Sequence, residues 1–504
     1  MRVLKKVREY SKDDRIAIIC DGESLSYKEL DEKSNAIAAY LLEEYGDDRT
    51  PIIIHGNKEN LILVLMMAAL KSGRAYIPLD VTFPKERVKS IIKEVNAKIV
   101  VNFTDEDLQF NSQLNKNNVE EIIKVCGNKT VDEKFAVKGD ENAYILFTSG
   151  STGKPKGVQI SADNIDSFTN WFGEYLDFDN SREVIMNQVS YSFDVSVIPI
   201  YIGLIHGKTL FSLSKETLEN FKELFTAFKE SQIKTWVTTP ALAEICINDS
   251  SFNKDLMPNL ETFFFAGEVL TKGLVRELKS RFPDVRIING YGPTEGTVLL
   301  TAIDINDQML VDKKPIPIGY PLAGGILKVV DNEGKEVNDG EKGELIALSK
   351  SISKGYFNNK EITNKVFFKE EINGEALRGY KTGDLVYCKE GIFYYCGRKD
   401  FQIKLNGFRI ELEDIENNLR RLNNVSNAIV LPVYNGEKIS HLVSFVTLKE
   451  DNGLSSLKNS IIIKKALKEF IPSYMIPRNI KVIDKFPINT NGKIDRKVLM
   501  EAIK

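Results

Sequence analysis

The 504-residue chain is short of the residues that build metal and redox centres. Its five cysteines (Cys20, Cys126, Cys246, Cys388, Cys396) and three histidines (His55, His206, His441) are scattered without a CxxC or other ligand spacing. That usage speaks against a zinc site or a Cys-His nucleophile and fits reduced, mostly buried thiols. A charge surplus is also missing: 68 Lys and Arg stand against 71 Asp and Glu, a net charge of -3, so no polycationic surface is offered to nucleic acid. There is no long apolar run either. Leu61 to Leu70 is closed by Lys71 and is about half of what a membrane span needs, so it reads as a buried helix. The opening MRVLKKVREYSKDD puts charges where a secretion signal needs an apolar stretch. A cytoplasmic protein with no membrane insertion and no nucleic-acid partner is therefore expected. No period of 20 to 50 residues repeats, which sets aside solenoids and propellers.

What is present is an ordinary globular composition, 42% hydrophobic and 28% charged, in a chain longer than one hydrophobic core usually serves. Up to about residue 400, strand-like runs (Ala75 to Leu79, Lys98 to Val101, Val285 to Ile288) alternate with longer amphipathic segments such as Glu216 to Ser231. This predicts α/β layers. After Gly397-Arg398-Lys399-Asp400 an acidic excess gives way to a basic one. The pattern predicts a large N-terminal domain of layered α/β sheets, residues 1–398, and a small α+β C-terminal domain, residues 399–504. The second holds a helical start (Glu411 to Arg421), two strands (Ala428 to Pro432, Leu442 to Leu448) and a helix (Ile461 to Phe470).

The chemistry begins at Thr148-Ser149-Gly150-Ser151-Thr152-Gly153-Lys154-Pro155-Lys156-Gly157, directly after the strand-like Ala143 to Phe147. Glycines interleaved with hydroxyls and lysines suit a loop that surrounds phosphates. It is not a Walker A loop, because Pro155 follows Lys154 and the glycines are spaced differently. Further motifs follow in order: Asn289-Gly290-Tyr291-Gly292-Pro293-Thr294-Glu295, Tyr380-Lys381-Thr382-Gly383-Asp384, Gly397-Arg398-Lys399-Asp400, Gly407-Phe408-Arg409-Ile410-Glu411 and Asn491-Gly492-Lys493-Ile494-Asp495-Arg496.

This ordered set resembles the adenylate-forming (ANL) superfamily along essentially the whole chain. Within it the chain is most similar to the free-standing ligases that load D-alanine for teichoic acid modification, through AVKGDENAYILFTSGSTGKPKGVQI, FQIKLNGFRIELEDIE and the YMIPR run. Peptide-synthetase adenylation modules more often carry a second acidic residue where Phe401 stands. The resemblance implies ATP-dependent activation of an amino acid, D-alanine as the lead, followed by transfer to the phosphopantetheine thiol of a carrier protein. Because the chain ends shortly after Lys493, the carrier is expected to be a separate molecule, and the enzyme a monomer.

The resemblance also assigns roles. Lys493 matches the catalytic lysine, bridging substrate carboxylate and α-phosphate where negative charge builds up. Thr148, Ser149 and Thr294 would contact phosphates, and Asn289, Gly290, Tyr291, Gly292 and Pro293 would line the nucleotide site. Asp384 would accept the ribose hydroxyls beside Tyr395, Cys396, Gly397 and Arg398. Glu295 would hold Mg²⁺, a hard cation suited to one or two carboxylates plus phosphate oxygens. Asp400 matches the hinge of a domain alternation, and Gly407 the lining of the thiol tunnel, where the absent side chain lets the backbone approach closely. The amino-acid pocket would comprise Asp194, Val195, Ile198, Thr238, Phe264, Ala266, Gly290, Val298 and Leu299, closed by Lys493. Asp194 would pair with the substrate ammonium; its bland alternative is a helix N-cap.

Several positions depart from the D-alanine pattern, which places Cys where Ala266 sits and Thr where Gly290 sits. Phe264 and Leu299 are larger than the pattern, and two outcomes stay open: a wider pocket or a refilled one. The rival readings are a stand-alone adenylation enzyme of a peptide-type pathway loading a bulkier amino acid, and a catalytically silent scaffold.

Overall fold

The computed structural model describes residues 1–150, 154–178, 181–436, 438–450, 453–488 and 494–503. Lys493, with Asn491 and Gly492, lies outside the described residues, as do Ser151, Thr152 and Gly153. The described chain gathers into two compact units. The first comprises Met1–Asp80, Glu94–Phe147 and Gly157–Lys399, and the second Val81–Lys93, Thr148–Lys156 and Asp400–Lys504. Besides the chain after Asp400, the second unit thus includes two earlier segments, one of them carrying the start of the glycine-rich loop.

Among the described residues, the largest sheet has nine strands in the order Tyr320–Pro321, Thr301–Asp304, Arg286–Tyr291, Thr262–Phe265, Thr235–Thr238, Val184–Asn187, Thr209–Ser212, Ile16–Cys20, Glu23–Ser26. The strands from Ile16–Cys20 through Arg286–Tyr291 in that order run parallel. A six-stranded sheet runs Gln113–Leu114, Val100–Asn102, Ile52–Gly56, Tyr76–Asp80, Asn142–Thr148, Lys156–Ser161. Parallel strands are covered on both faces, which is why TFFF and IIIHG read as unbroken apolar runs. Alternation sorts the two faces of Thr262–Phe265. Phe264 joins the core with Phe168 and Phe172 of the helix Ala162–Leu176, whereas Phe263 and Phe265 pack with Trp236, Phe252 and Phe282.

The helix Asn60–Lys71 is buried along nearly its whole length and shares one core with residues of both sheets, giving the layered α/β architecture. The amphipathic stretch expected from Glu216 to Ser231 is instead two helices, Lys215–Glu219 and Phe221–Glu230. Asn220 breaks it: its side chain accepts from the Lys222 and Glu223 amides and so caps the second helix. A five-stranded antiparallel sheet built on Glu375–Lys389 completes the first unit.

In the second unit a hairpin pairs Gln402–Leu405 with Phe408–Glu411 through Asn406 and Gly407, both at positive φ (52° and 82°), the geometry an Asn-Gly hairpin turn requires. The helix Leu412–Arg420 packs against the strand Val425–Asn435, which pairs with Lys438–Leu448. Two buried carboxylates brace this unit. Glu416 accepts from Arg496 at 2.7 Å, Arg420 at 3.1 Å and the Val430 amide at 2.9 Å. Asp414 takes Asn418 at 2.9 Å and faces Arg87 at 3.5 Å, and burial raises the pKa of both acids.

Candidate active site

The motif residues of the first unit sit at the carboxyl ends of parallel strands, where open α/β sheets place their ligands. Asn187, Thr238, Ala266 and Tyr291 all end or directly follow such strands.

Tyr291 and Arg398, from two of the other sequence motifs, meet at Asp384. Its strand pairs with Ile392–Arg398, and the register slips between Leu385 and Val386 so that Cys396 is an extra residue with Gly397 at φ 112°. This bulge re-aims the strand end and sets Arg398 opposite Asp384. Arg398 Nη1 donates to Asp384 Oδ1 at 2.7 Å and the Tyr291 hydroxyl to Oδ2 at 2.5 Å. The Asp384 amide is held by Thr382 Oγ1 at 3.0 Å. Burial first, and the neighbouring Asp384 carboxylate next, push the Tyr291 phenol well above its ordinary range, so it stays a donor. The Tyr395 ring lies 6.3 Å from that of Tyr291, and Asn289 donates to the Pro317 carbonyl at 2.8 Å.

Glu295 lies in a short turn, Thr294–Gly296, and is fully buried. The Tyr356 hydroxyl donates to its Oε1 at 2.6 Å, and its carbonyl accepts from the Ser353 amide at 2.8 Å. After it, Thr297 and Val298 both adopt positive φ, 57° and 74°, a strained conformation for β-branched residues, held here by its surroundings. The Thr297 hydroxyl is bonded to the Ser351 carbonyl at 2.5 Å. The turn folds back onto Gly292, where a Cβ would stand 2.4 Å from the Val298 carbonyl oxygen and 2.6 Å from Leu299 Cα. Only glycine admits that approach.

The residues expected to line the amino-acid pocket, Val195, Ile198, Phe264, Ala266, Val298 and Leu299, form part of one buried core, and Asp194 is 6% exposed. At Gly290 a Cβ would meet Phe264 Cζ at 2.5 Å and Leu299 Cδ2 at 2.9 Å. The volume left by the missing side chain is therefore occupied by those two larger neighbours, and the Phe264 ring is itself held edge-on against Phe172 at 4.9 Å. Asp194 opens the turn Asp194–Ser196, whose N-cap is Phe193, so the helix-cap alternative does not describe it. Thr238 accepts from Gln188 at 2.8 Å.

Other motif residues fall in the second unit. Ser149 Oγ donates to the Arg409 carbonyl at 3.0 Å and accepts from the Glu411 amide at 2.9 Å. Thr148 Oγ1 reaches the Lys156 carbonyl at 3.5 Å, and Asp400 accepts from the Gln402 amide at 3.1 Å. Gly407 occupies the hairpin turn. Sequence reasoning did not find Tyr356, the partner of Glu295, which no motif marks, or the buried Lys58, which donates to Asn187 and the Val189 carbonyl. The Asn406-Gly407 pair was a turn signal available in the sequence.

A fold of this layering with these motifs defines an adenylate-forming ligase, and the chain belongs to the AMP-binding enzyme family: that family matches residues 5–357, and the AMP-binding enzyme C-terminal domain matches residues 414–493. Among relatives, it is 39% identical over 510 residues to D-alanine–D-alanyl carrier protein ligase of Bacillus mycoides (strain KBAB4), covering 100% of each chain. It is 39% identical over 509 residues to the protein of the same name from Bacillus anthracis, again covering 100% of each. The fold is shared with the solved structure of holo-PA1221, an NRPS protein containing adenylation and PCP domains (TM-score 0.84, 23% identity, 99% of this chain and 84% of that one). It is shared too with the Vibrio cholerae adenylation domain AlmE in complex with glycyl-adenosine-5'-phosphate (TM-score 0.82, 22% identity, 100% and 97%). No helix among the described residues is long and apolar enough to cross a membrane.

Proposed function

We propose that the chain activates a small amino acid, D-alanine foremost, as an aminoacyl-adenylate with release of pyrophosphate, and then passes the acyl group to the phosphopantetheine thiol of a separate carrier protein. The observation that carries the substrate reading is the packing at Gly290: Phe264 and Leu299 occupy the space that a side chain at 290 would take, so the missing side chain opens no extra room there, which favours a substrate bearing little more than a methyl group. The full-length likeness to D-alanine–D-alanyl carrier protein ligases supports the same substrate and acceptor.

In this reading Asp384 accepts the ribose hydroxyls. Arg398 and Tyr291 hold its two oxygens in place beforehand, and each carboxylate oxygen has a further lone pair to offer. Asn289 to Pro293, with Tyr395, Cys396 and Gly397, border the adenosine; Thr148, Ser149 and Thr294 serve the phosphates. Asp194 pairs with the substrate ammonium in a mostly dry pocket. Lys493 supplies positive charge where the carboxylate meets the α-phosphate. Glu295 fits a Mg²⁺ ligand: a buried, oriented hard-oxygen donor that suffices where phosphate oxygens provide the rest. When bound, the metal would neutralise phosphate charge. Asp400 serves as the hinge and Gly407 borders the pantetheine. The domain division at 398/399, a monomeric state, a cytoplasmic location and the absence of a nucleic-acid partner belong to the same reading.

Incubation with ATP, Mg²⁺, D-alanine and a phosphopantetheine-loaded carrier protein tests it. Mass spectrometry of the carrier should show one alanyl thioester formed only when ATP and D-alanine are both present. A carrier that stays unloaded while AMP accumulates would overturn the transfer step.

A further inference from the structure

We propose that Lys58 is a positioning residue for amino-acid recognition: its buried ammonium clamps the loop that delivers Asp194. The inference rests on the reading of Asp194 as the anchor for the substrate ammonium.

Lys58 lies two residues beyond the strand Ile52–Gly56 and is only 3% exposed. Buried lysines ordinarily pair with a carboxylate. Here Nζ donates to Asn187 Oδ1 at 3.2 Å and to the Val189 carbonyl at 2.5 Å, and stands 3.4 Å from the centre of the Tyr191 ring. All three partners are neutral and all belong to the segment that ends the strand Val184–Asn187. Desolvation lowers the amine's pKa, and the nearby Asp80 and Cys20 oppose that shift. A residue needed only to fill volume there would be apolar, since an ammonium is costly to bury. The carbonyl, amide and π-face that surround this one explain its presence.

The same segment is tied a second time. Ser190 Oγ donates to the carboxylate of Asp80, the last residue of the strand Tyr76–Asp80. Both anchors therefore rise from the ends of neighbouring parallel strands of the six-stranded sheet, and both grip a loop belonging to the nine-stranded sheet. The fixed loop continues directly to the substrate anchor: the Phe193 amide donates to the Ser190 carbonyl at 3.0 Å, the Ser196 amide to the Phe193 carbonyl at 3.0 Å, and Asp194 sits inside that turn. A shift of the Val189 carbonyl is transmitted over five residues to the Asp194 carboxylate.

The test measures KM for D-alanine and for ATP in pyrophosphate exchange, with thermal unfolding, for Lys58→Met, Asp194→Ala and the double variant. Lys58→Met should raise the amino-acid KM on the order of tenfold or more, because small displacements of a binding group are costly, with the ATP KM within about twofold. In the Asp194→Ala background it should add nothing further. An unchanged amino-acid KM, an equal loss for both substrates, or full additivity with Asp194→Ala overturns the proposal. If Lys58→Met does not fold, Ser190→Ala releases the second anchor by deleting a single half-buried hydroxyl. A smaller rise in the amino-acid KM supports the clamp and no rise overturns it. An Asp194→Ala enzyme with unaltered amino-acid KM removes the anchor itself and the clamp with it, an outcome distinct from failure of Lys58 alone.

Discussion

Tyr291 shows how one side chain prepares a binding group. Its hydroxyl donates to Asp384 Oδ2 while Arg398 holds Oδ1, so the carboxylate is held in place for the ribose contact proposed for it. Hydrogen bonds to charged groups are worth about 1.5–3 kcal/mol. Tyr291→Phe removes this one while keeping the ring near Tyr395. The expected result is a KM for ATP raised roughly tenfold or more, on that energy, with the amino-acid KM little changed. Initial-rate kinetics with each substrate varied in turn check it, and a variant equally impaired toward both substrates would contradict the role.

At the scale of elements, the proposed substrate pocket follows from strand alternation. Phe264 faces the same core as Ile288, its register partner, and Gly290 follows two residues later on that face. Restoring threonine at 290 would thrust a Cβ within 2.5 Å of the Phe264 ring. Overpacking a filled core costs about 1–3 kcal/mol, so Gly290→Thr should lower the thermal midpoint by about 1–4 °C. Phe264→Ala in the same chain should recover most of that loss. Calorimetry of the single and double variants decides it; additive losses would mean the two residues do not share the space.

The elements also show how far the sequence could be read. The glycine-rich loop, the Asn289 to Glu295 run and the Asp384 motif could be marked in the sequence because they follow the order of the family the chain resembles; their phosphate and ribose roles belong to the proposed function. The strands Tyr76–Asp80, Val100–Asn102 and Arg286–Tyr291 were legible as apolar runs, with ends shifted by one to three residues. Contacts across the sheet were not. Tyr356 meets Glu295 over 61 residues and Lys58 meets Asn187 over 129, and no local pattern encodes either. Whether Phe264 refilled the space at Gly290 depended on ring orientation, set by Phe172 in a distant helix.

At the scale of the whole molecule, the account divides the reaction into two halves that use different residues. Lys493→Ala should slow adenylate formation by roughly 10²- to 10³-fold, the usual loss when a preorganised charge is removed from a developing transition state. Transfer from presynthesised alanyl-adenylate to the carrier should be largely preserved. Single-turnover loading of the carrier from ATP and from the adenylate separates the two, and an equal collapse of both would count against the division.

The central claim, a ligase that activates a small amino acid and selects it by a filled pocket, is tested most directly by amino-acid-dependent pyrophosphate exchange across D-alanine, L-alanine, glycine and a series of larger side chains. The account predicts the highest kcat/KM for D-alanine and a steep fall beyond a methyl side chain. A larger amino acid giving the strongest exchange, or no exchange with any, would contradict it.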